Sequence, residues 1–159
     1  MTGSERIGHY ELYVFDWDGT VMDTTALIAR GMQEAAKALL LPIPDYDVCR
    51  GTIGLSNPQA MAVVAPTLPE SRWDEFWRAY RNWYLVREAE VVLFPHLQEL
   101  FDAMKKHGVR MAIATGKSRR GLDRVFEKTG IGAYFEATRT ADECFSKPNP
   151  QMLEEIFLE

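Results

Sequence analysis

The sequence predicts an α/β fold, a doubly wound parallel sheet interrupted by an α-helical insert. A short apolar run, Tyr10 to Phe15, ends abruptly at two acids and Gly19. The long stretch from about Thr24 to Glu90 carries helical spacing throughout. From Pro95 onward helix and strand patterns alternate, which in one sheet means parallel strands joined by right-handed crossovers.

Leu12, Tyr13, Val14 and Phe15 are apolar, aromatic or β-branched in succession, the pattern of a central strand covered on both faces. Thr24 opens a helix whose Leu27, Ile28, Met32, Ala35, Leu39 and Leu40 recur at three and four, and Pro42 and Pro44 end it. Asn57-Pro58 has the form of an N-cap and first-turn proline ahead of Met61, Val63 and Val64. Glu70 to Arg87 reads as a third helix. Its aromatic band, Trp73 to Tyr84, falls at helical spacing in an acidic chain and is therefore core of the insert rather than a base-stacking surface. Leu97, Leu100, Phe101 and Met104 then mark a helical face that Gly108 closes. Met111 to Ala114 form a short buried strand, and Ser118 caps a helix with Leu122, Val125 and Phe126 inward as far as Gly130. A weak strand near Phe135 to Thr138 and a last helix from Asn149-Pro150, bearing Met152, Leu153, Ile156 and Phe157, complete the series.

Composition narrows the function classes. Hydrophobic residues at 47% and charged residues at 26% belong to a packed globular chain, and 159 residues suffice for one domain with a smaller inserted lobe. A net charge of -5 supplies no general field for nucleic acid or an anionic membrane, so neither is an expected partner. Cys49 and Cys144 form no CxxC pair, which argues against a zinc site or disulfide framework and for a reducing compartment. The start, Met1 to Arg6, lacks a signal-peptide pattern, and no apolar run approaches the roughly 20 residues that cross a bilayer. The expected location is the cytoplasm. His9, His96 and His107 lack metal-like spacing and are expected on the surface or at helix ends.

The chemistry concentrates in three places. Asp16-Trp17-Asp18-Gly19-Thr20 follows the first strand, where an open α/β sheet presents its strand ends to ligands. Strand alternation lets Asp16 and Asp18 point the same way, and Gly19 permits a sharp turn after them. Ala114-Thr115-Gly116-Lys117-Ser118 ends a second strand and places a hydroxyl and a helix N-terminus where phosphate oxygens can be held. Ser146-Lys147-Pro148-Asn149-Pro150 sets a lysine between prolines ahead of a helix. Taken singly, the first is a turn, Thr115 a cap and Lys147 a surface cation; their joint order is what carries meaning. Lys117 and Arg119 are expected to be solvated residues at a helix start.

An Asp-x-Asp-Gly-Thr after strand one, a threonine after strand two and a Lys-Pro-x-Pro before a helix together resemble the ordered motifs of the haloacid dehalogenase superfamily. The chain most resembles its phosphoglycolate phosphatase-like branch, a similarity that runs from Tyr10 onward. The resemblance implies a Rossmann-like core from residues 1–23 and 91–159 and a helical cap from 24–90. It implies Asp16 as the nucleophile that forms an aspartyl-phosphate and Asp18 as general acid and then base. It further implies phosphate contacts from Thr115, the Gly116 amide and Lys147, and Mg²⁺ held by the Asp16 carboxylate and the Asp18 carbonyl. The implied substrate is a small phosphorylated metabolite, such as phosphoglycolate or a sugar phosphate. Asp18 argues against a dehalogenase, which has no leaving alcohol to protonate.

Arg50-Gly51-Thr52-Ile53-Gly54 resembles the loop that approaches the active site in capped relatives, where Arg50 or Thr52 would read the substrate's remote end; an ordinary interhelical turn is equally open. The superfamily's fourth motif, an acidic pair after a further strand, is not present before Glu159. The expectations are therefore a chain incomplete at its C-terminal side, with an exposed sheet edge, an uncovered terminal helix, weak magnesium affinity and little turnover. A phosphomutase and a non-catalytic phosphate- or partner-binding module stand as the alternatives.

Overall fold

The computed structural model describes residues 10–159, so the expectations for Met1 to Arg6 and for His9 lie outside the described residues. Two compact units emerge, one from the chain up to Val21 with Leu93–Glu159, the other from Met22–Val92.

In the first unit, β1 (Leu12–Phe15), β2 (Arg110–Ala114) and β3 (Ala137–Arg139) form a parallel sheet in the order β1-β2-β3, as the α/β alternation predicts. Side-chain alternation along the strands feeds two different cores. Leu12 and Val14 of β1, Ala112 and Ala114 of β2, and Ala137 of β3 pack with Met152 and Ile156 of α7 (Gln151–Phe157). The other face is aromatic: Phe15 meets Phe101 of α5 (Leu97–Lys106) edge-on at 5.4 Å, and Phe126 of α6 (Arg119–Thr129) stacks on Phe135 at 6.0 Å. Helices thus cover both faces, the doubly wound arrangement.

The expected central strand is not β1. It is β2, whose Met111 to Ala114 are buried, while all four β1 residues are half-buried and one β1 edge pairs with nothing among the described residues. An apolar run reports coverage of faces but says nothing about edges. Phe157 of α7 and Leu158 just after it are exposed.

The second unit is helical: α1 (Thr25–Ala38), α2 (Tyr46–Gly51), α3 (Asn57–Val64) and α4 (Trp73–Leu85). Ile28, Ala29, Met32, Ala35 and Ala36 of α1 share one core with Met61, Val64, Phe76 and Tyr84. The aromatic band is core, as its spacing predicts: Phe76 is fully buried, and Trp73, Trp77 and Tyr80 pack against the cluster. Some boundaries differ, and α1 ends at Ala38, so that Leu40, expected on its apolar face, is exposed. Helix α2 has no counterpart in the sequence reading, being only six residues long with Cys49 as its one buried side chain. Helix α3 has Ser56 as its N-cap, whose N–H and hydroxyl both reach Gln59 Oε1 (3.2 and 2.9 Å), so Asn57 and Pro58 lie inside its first turn. Residues Glu70–Arg72 form a 3-10 turn ahead of α4 rather than its first turn. His96 and His107 sit at the two ends of α5, as expected of capping residues.

Two predictions follow from this packing. A Cβ on Gly31 would stand 2.8 Å from Tyr80 Cε2, in a ring already held by Trp77 and Tyr84. Gly31→Ala therefore lowers the melting temperature despite the better helix propensity of alanine, with overpacking costing about 1–3 kcal/mol against about 1 kcal/mol gained. The second concerns Glu143, whose carboxyl is held down from 4.5 to about 2, first by the Arg119 guanidinium and then by Thr140. A depressed acid stabilises the fold fully above its unfolded value and loses that contribution as pH falls through the folded one. Melts of wild type and Glu143→Gln should differ most above about pH 4.5 and converge toward about pH 2.

Candidate active site

The sheet register decides which loops meet. Phe15 pairs with Ile113 and Ala114 with Arg139, so Asp16, Thr115 and the segment beginning at Thr140 all leave the sheet at its carboxyl end. Trp17 anchors the first loop. It is fully buried, lies edge-on to Phe126 at 5.4 Å, and its carbonyl accepts from the N–H groups of Thr20 (3.2 Å) and Val21 (2.9 Å). Gly19 takes the positive φ of 79° that this tight reversal needs.

Each flanking acid meets a lysine. Lys147 Nζ donates to Asp16 Oδ1 at 2.8 Å, with both side chains about a third exposed (34% and 40%). Pairs this accessible to water are worth at most about 1 kcal/mol in stability, so the contact matters for the charge it assembles rather than for holding the fold. Asp18 is enclosed. Its Oδ1 lies 3.3 Å from Lys117 Nζ, with side chains only 15% and 12% exposed. The angles fall short of a hydrogen bond, which leaves Asp18 Oδ1 a buried carboxylate oxygen with a cation beside it but no donor.

Thr115 is fully buried at the end of β2. Its N–H donates to the Arg139 carbonyl (3.0 Å) and its Oγ1 accepts from the Lys117 N–H (3.1 Å), an arrangement that keeps the hydroxyl hydrogen for another acceptor. Gly116 has open space where a side chain would stand. Ser118 caps α6 through the Gly121 N–H at 3.2 Å, as predicted. Lys147 is carried on a turn in which the Asn149 N–H donates to the Ser146 carbonyl (3.1 Å), and Asn149 Oδ1 in turn accepts from Gln151 N–H (3.0 Å) at the start of α7.

The structure thus brings Asp16 to Lys147 and Asp18 to Lys117, with Thr115 and Gly116 on the adjoining strand end. Arg50 and Thr52 belong to the helical unit. Arg50 is an exposed residue of α2, 3.6 Å from Asp47 Oδ1. Thr52 is buried, and its hydroxyl lies 2.7 Å from the Cys49 carbonyl and 3.4 Å from Met32 Sδ, so it is engaged within that unit.

Lys117 and Arg119 depart from expectation. Neither is a solvated helix-start residue: Lys117 is enclosed beside Asp18, and Arg119 forms a two-pronged contact with Glu143, both bonds at 2.8 Å. Arg119 was not predictable locally because its partner lies 24 residues away, beyond β3. For Lys117 a signal existed: two carboxylates at one strand end need nearby cations, and a lysine beside the phosphate-holding helix start is a ready source.

The oxygen donors also bear on a metal. Among the described residues no three His, Cys, Asp or Glu side chains gather into a dedicated cage. A hard divalent cation that takes one or two carboxylates and fills its remaining positions with water and substrate oxygens fits the donors present at Asp16 and Asp18.

Comparison with known proteins bears on the family. Residues 13–159 match the family model described as haloacid dehalogenase-like hydrolase. A probable phosphatase IndB of Dickeya dadantii is 30% identical over 89% of this chain and 64% of its own length. A phosphoglycolate phosphatase of Agrobacterium fabrum is 28% identical over 87% of this chain and 62% of its own. The chain spans a little under two thirds of these curated relatives. In fold it is similar to the crystal structure of a putative phosphoglycolate phosphatase from Lactobacillus plantarum, with a TM-score of 0.82 at 22% identity over 94% of this chain and 70% of that one. The chain therefore belongs to the haloacid dehalogenase-like hydrolase family.

Proposed function

We propose that the protein is a magnesium-dependent phosphatase that hydrolyses a small phosphate monoester, phosphoglycolate-like or a sugar phosphate, through an aspartyl-phosphate on Asp16. The observation that carries this reading is the Asp16 carboxylate at the open end of a parallel sheet with Lys147 Nζ at 2.8 Å, beside Asp18 and its own lysine. A carboxylate repels an incoming phosphate dianion, so attack requires positive charge at the same place. Lys147 provides it at Asp16, and Lys117 extends it to Asp18.

In this reading Asp16 attacks phosphorus while Asp18 gives a proton to the leaving oxygen; Asp18 then takes a proton from the water that cleaves the acyl phosphate. The buried Asp18 oxygen without a donor suits that role, since a protonated leaving group or a water can supply the missing hydrogen bond. In this reading the Thr115 hydroxyl and the Gly116 amide donate to the transferring oxygens, where fixed donors are a large catalytic term. Magnesium, held by the Asp16 carboxylate and the Asp18 carbonyl, would supply further charge neutralisation when bound. Residues 24–90 take the part of a cap that selects substrate, with Arg50 the more available of its two candidate contacts because the Thr52 hydroxyl is already engaged.

The chemistry calls for no membrane or nucleic-acid partner, and no described helix is long and apolar enough to cross a membrane. Cys49 and Cys144 are both free thiols, which fits a reducing cytoplasmic setting.

The test is steady-state hydrolysis by the full-length protein with magnesium. Asp16→Asn should abolish turnover, by roughly three orders of magnitude or more. In kcat/KM, which reports the steps up to formation of the aspartyl-phosphate and not its hydrolysis, Asp18→Asn should cost about 100-fold or more on an alkyl phosphate and much less on an aryl phosphate, whose leaving group needs no proton. Equal losses on both substrates would reject Asp18 as the acid, and undiminished turnover by Asp16→Asn would reject the nucleophile.

A further inference from the structure

The groups assigned to phosphate ride on two loops, Thr115–Ser118 after β2 and Thr140–Pro150 after β3. One set of contacts fastens them together. The Ala141 N–H donates to the Lys117 carbonyl at 3.0 Å, so Lys117 is bonded through its carbonyl to the second loop and through its N–H to Thr115 Oγ1. Two residues on, the Arg119 N–H donates to Asp142 Oδ1 at 2.8 Å, and its Nε and Nη2 donate to the two oxygens of Glu143, each at 2.8 Å. Nη2 also reaches the Thr138 carbonyl at 3.2 Å. Glu143 Oε2 accepts from the N–H of Thr140 (3.1 Å), and the fully buried Thr140 hydroxyl lies between Asp142 Oδ1 (2.6 Å) and Glu143 Oε2 (2.9 Å).

This arginine is not a spare cation for substrate. Glu143 takes both prongs of its guanidinium, Asp123 stands 3.5 Å from its Nη1, and its proton is held more tightly than usual, first by the hydrogen bond to Glu143. A forked arginine–carboxylate pair fixes orientation as well as distance, which a single ion pair does not. Here it fixes one loop against the other, and the second loop leads directly to Lys147.

We infer that Arg119 and Glu143 form a positioning pair for the phosphate site, holding the Thr115–Lys117 loop in register with the loop that delivers Lys147, without touching phosphate themselves. The inference rests on the phosphatase reading. It matters for function because displacements near 1 Å at such a site cost on the order of 100-fold.

The test is calorimetric titration of the full-length protein with inorganic phosphate in magnesium buffer, with a thermal melt of each variant. Glu143→Gln and Arg119→Ala should weaken phosphate about tenfold or more. Arg119→Lys, which keeps the charge but not the fork, should recover only part of that loss. Tyr134→Phe, which removes the 2.5 Å bond to Asp102 on an exposed side of the same unit, should keep wild-type affinity whatever it does to the melt. The inference is overturned if Glu143→Gln and Arg119→Ala bind phosphate as the wild type does, or if affinity across all four variants simply tracks melting temperature. Should the two stronger variants fail to fold, Arg119→Lys decides: wild-type affinity overturns the pairing and a loss supports it. A wild-type protein that binds no phosphate rejects the phosphatase reading itself, and the pair's role with it.

Discussion

Asp16 and Lys147 are 131 residues apart in the chain, and their charged ends meet at 2.8 Å. Everything proposed for this protein depends on that pairing being a device for chemistry. A carboxylate nucleophile for a phosphate dianion is an electrostatic contradiction unless a cation is built into the same place. The parallel sheet resolves it by topology: three strands running the same way send three loops to one end, and acids, hydroxyl and lysine arrive from segments that share no local sequence. Partial exposure to water makes the pair a poor staple and leaves it accessible to a ligand.

The second acid is built differently. Asp18 and Lys117 are enclosed, and the carboxylate oxygen facing the lysine has no hydrogen-bond donor. Charges kept from water without full pairing cost stability, and such costs gather where function requires them. Trp17 between the two acids sets this contrast, because its burial against Phe126 fixes the backbone from which the flanking side chains depart. The scaffold beyond is itself cross-braced, with Arg139 joining Glu155 and Glu159 of the α7 end while Gln151 links Glu155 to the Phe145 N–H in the Lys147 loop.

Much of the architecture was legible because its signals are periodic. The aromatic spacing of α4 announced a buried helix, and Leu122 and Val125 announced the inner face of α6. The candidate acids and Lys147 stood out through motif order, and the fold brings Asp16 to Lys147. Failures fell where the deciding contact is not local. The six residues of α2 are too few for a period to show. Arg119 resembles any basic residue at a helix start, and only the folded loops show that it faces Glu143, whereas the pairing of Lys117 with Asp18 had a signal in the two acids' need for cations.

The central claim is covalent, and it can be read at a single side chain. Borohydride added to the full-length protein during turnover reduces an acyl phosphate to an alcohol, converting the phosphorylated aspartate to homoserine, which peptide mass spectrometry locates. The account predicts homoserine at position 16, dependent on both substrate and magnesium. Phosphate release with Asp16 unmodified, or with the label at Asp18, would contradict it.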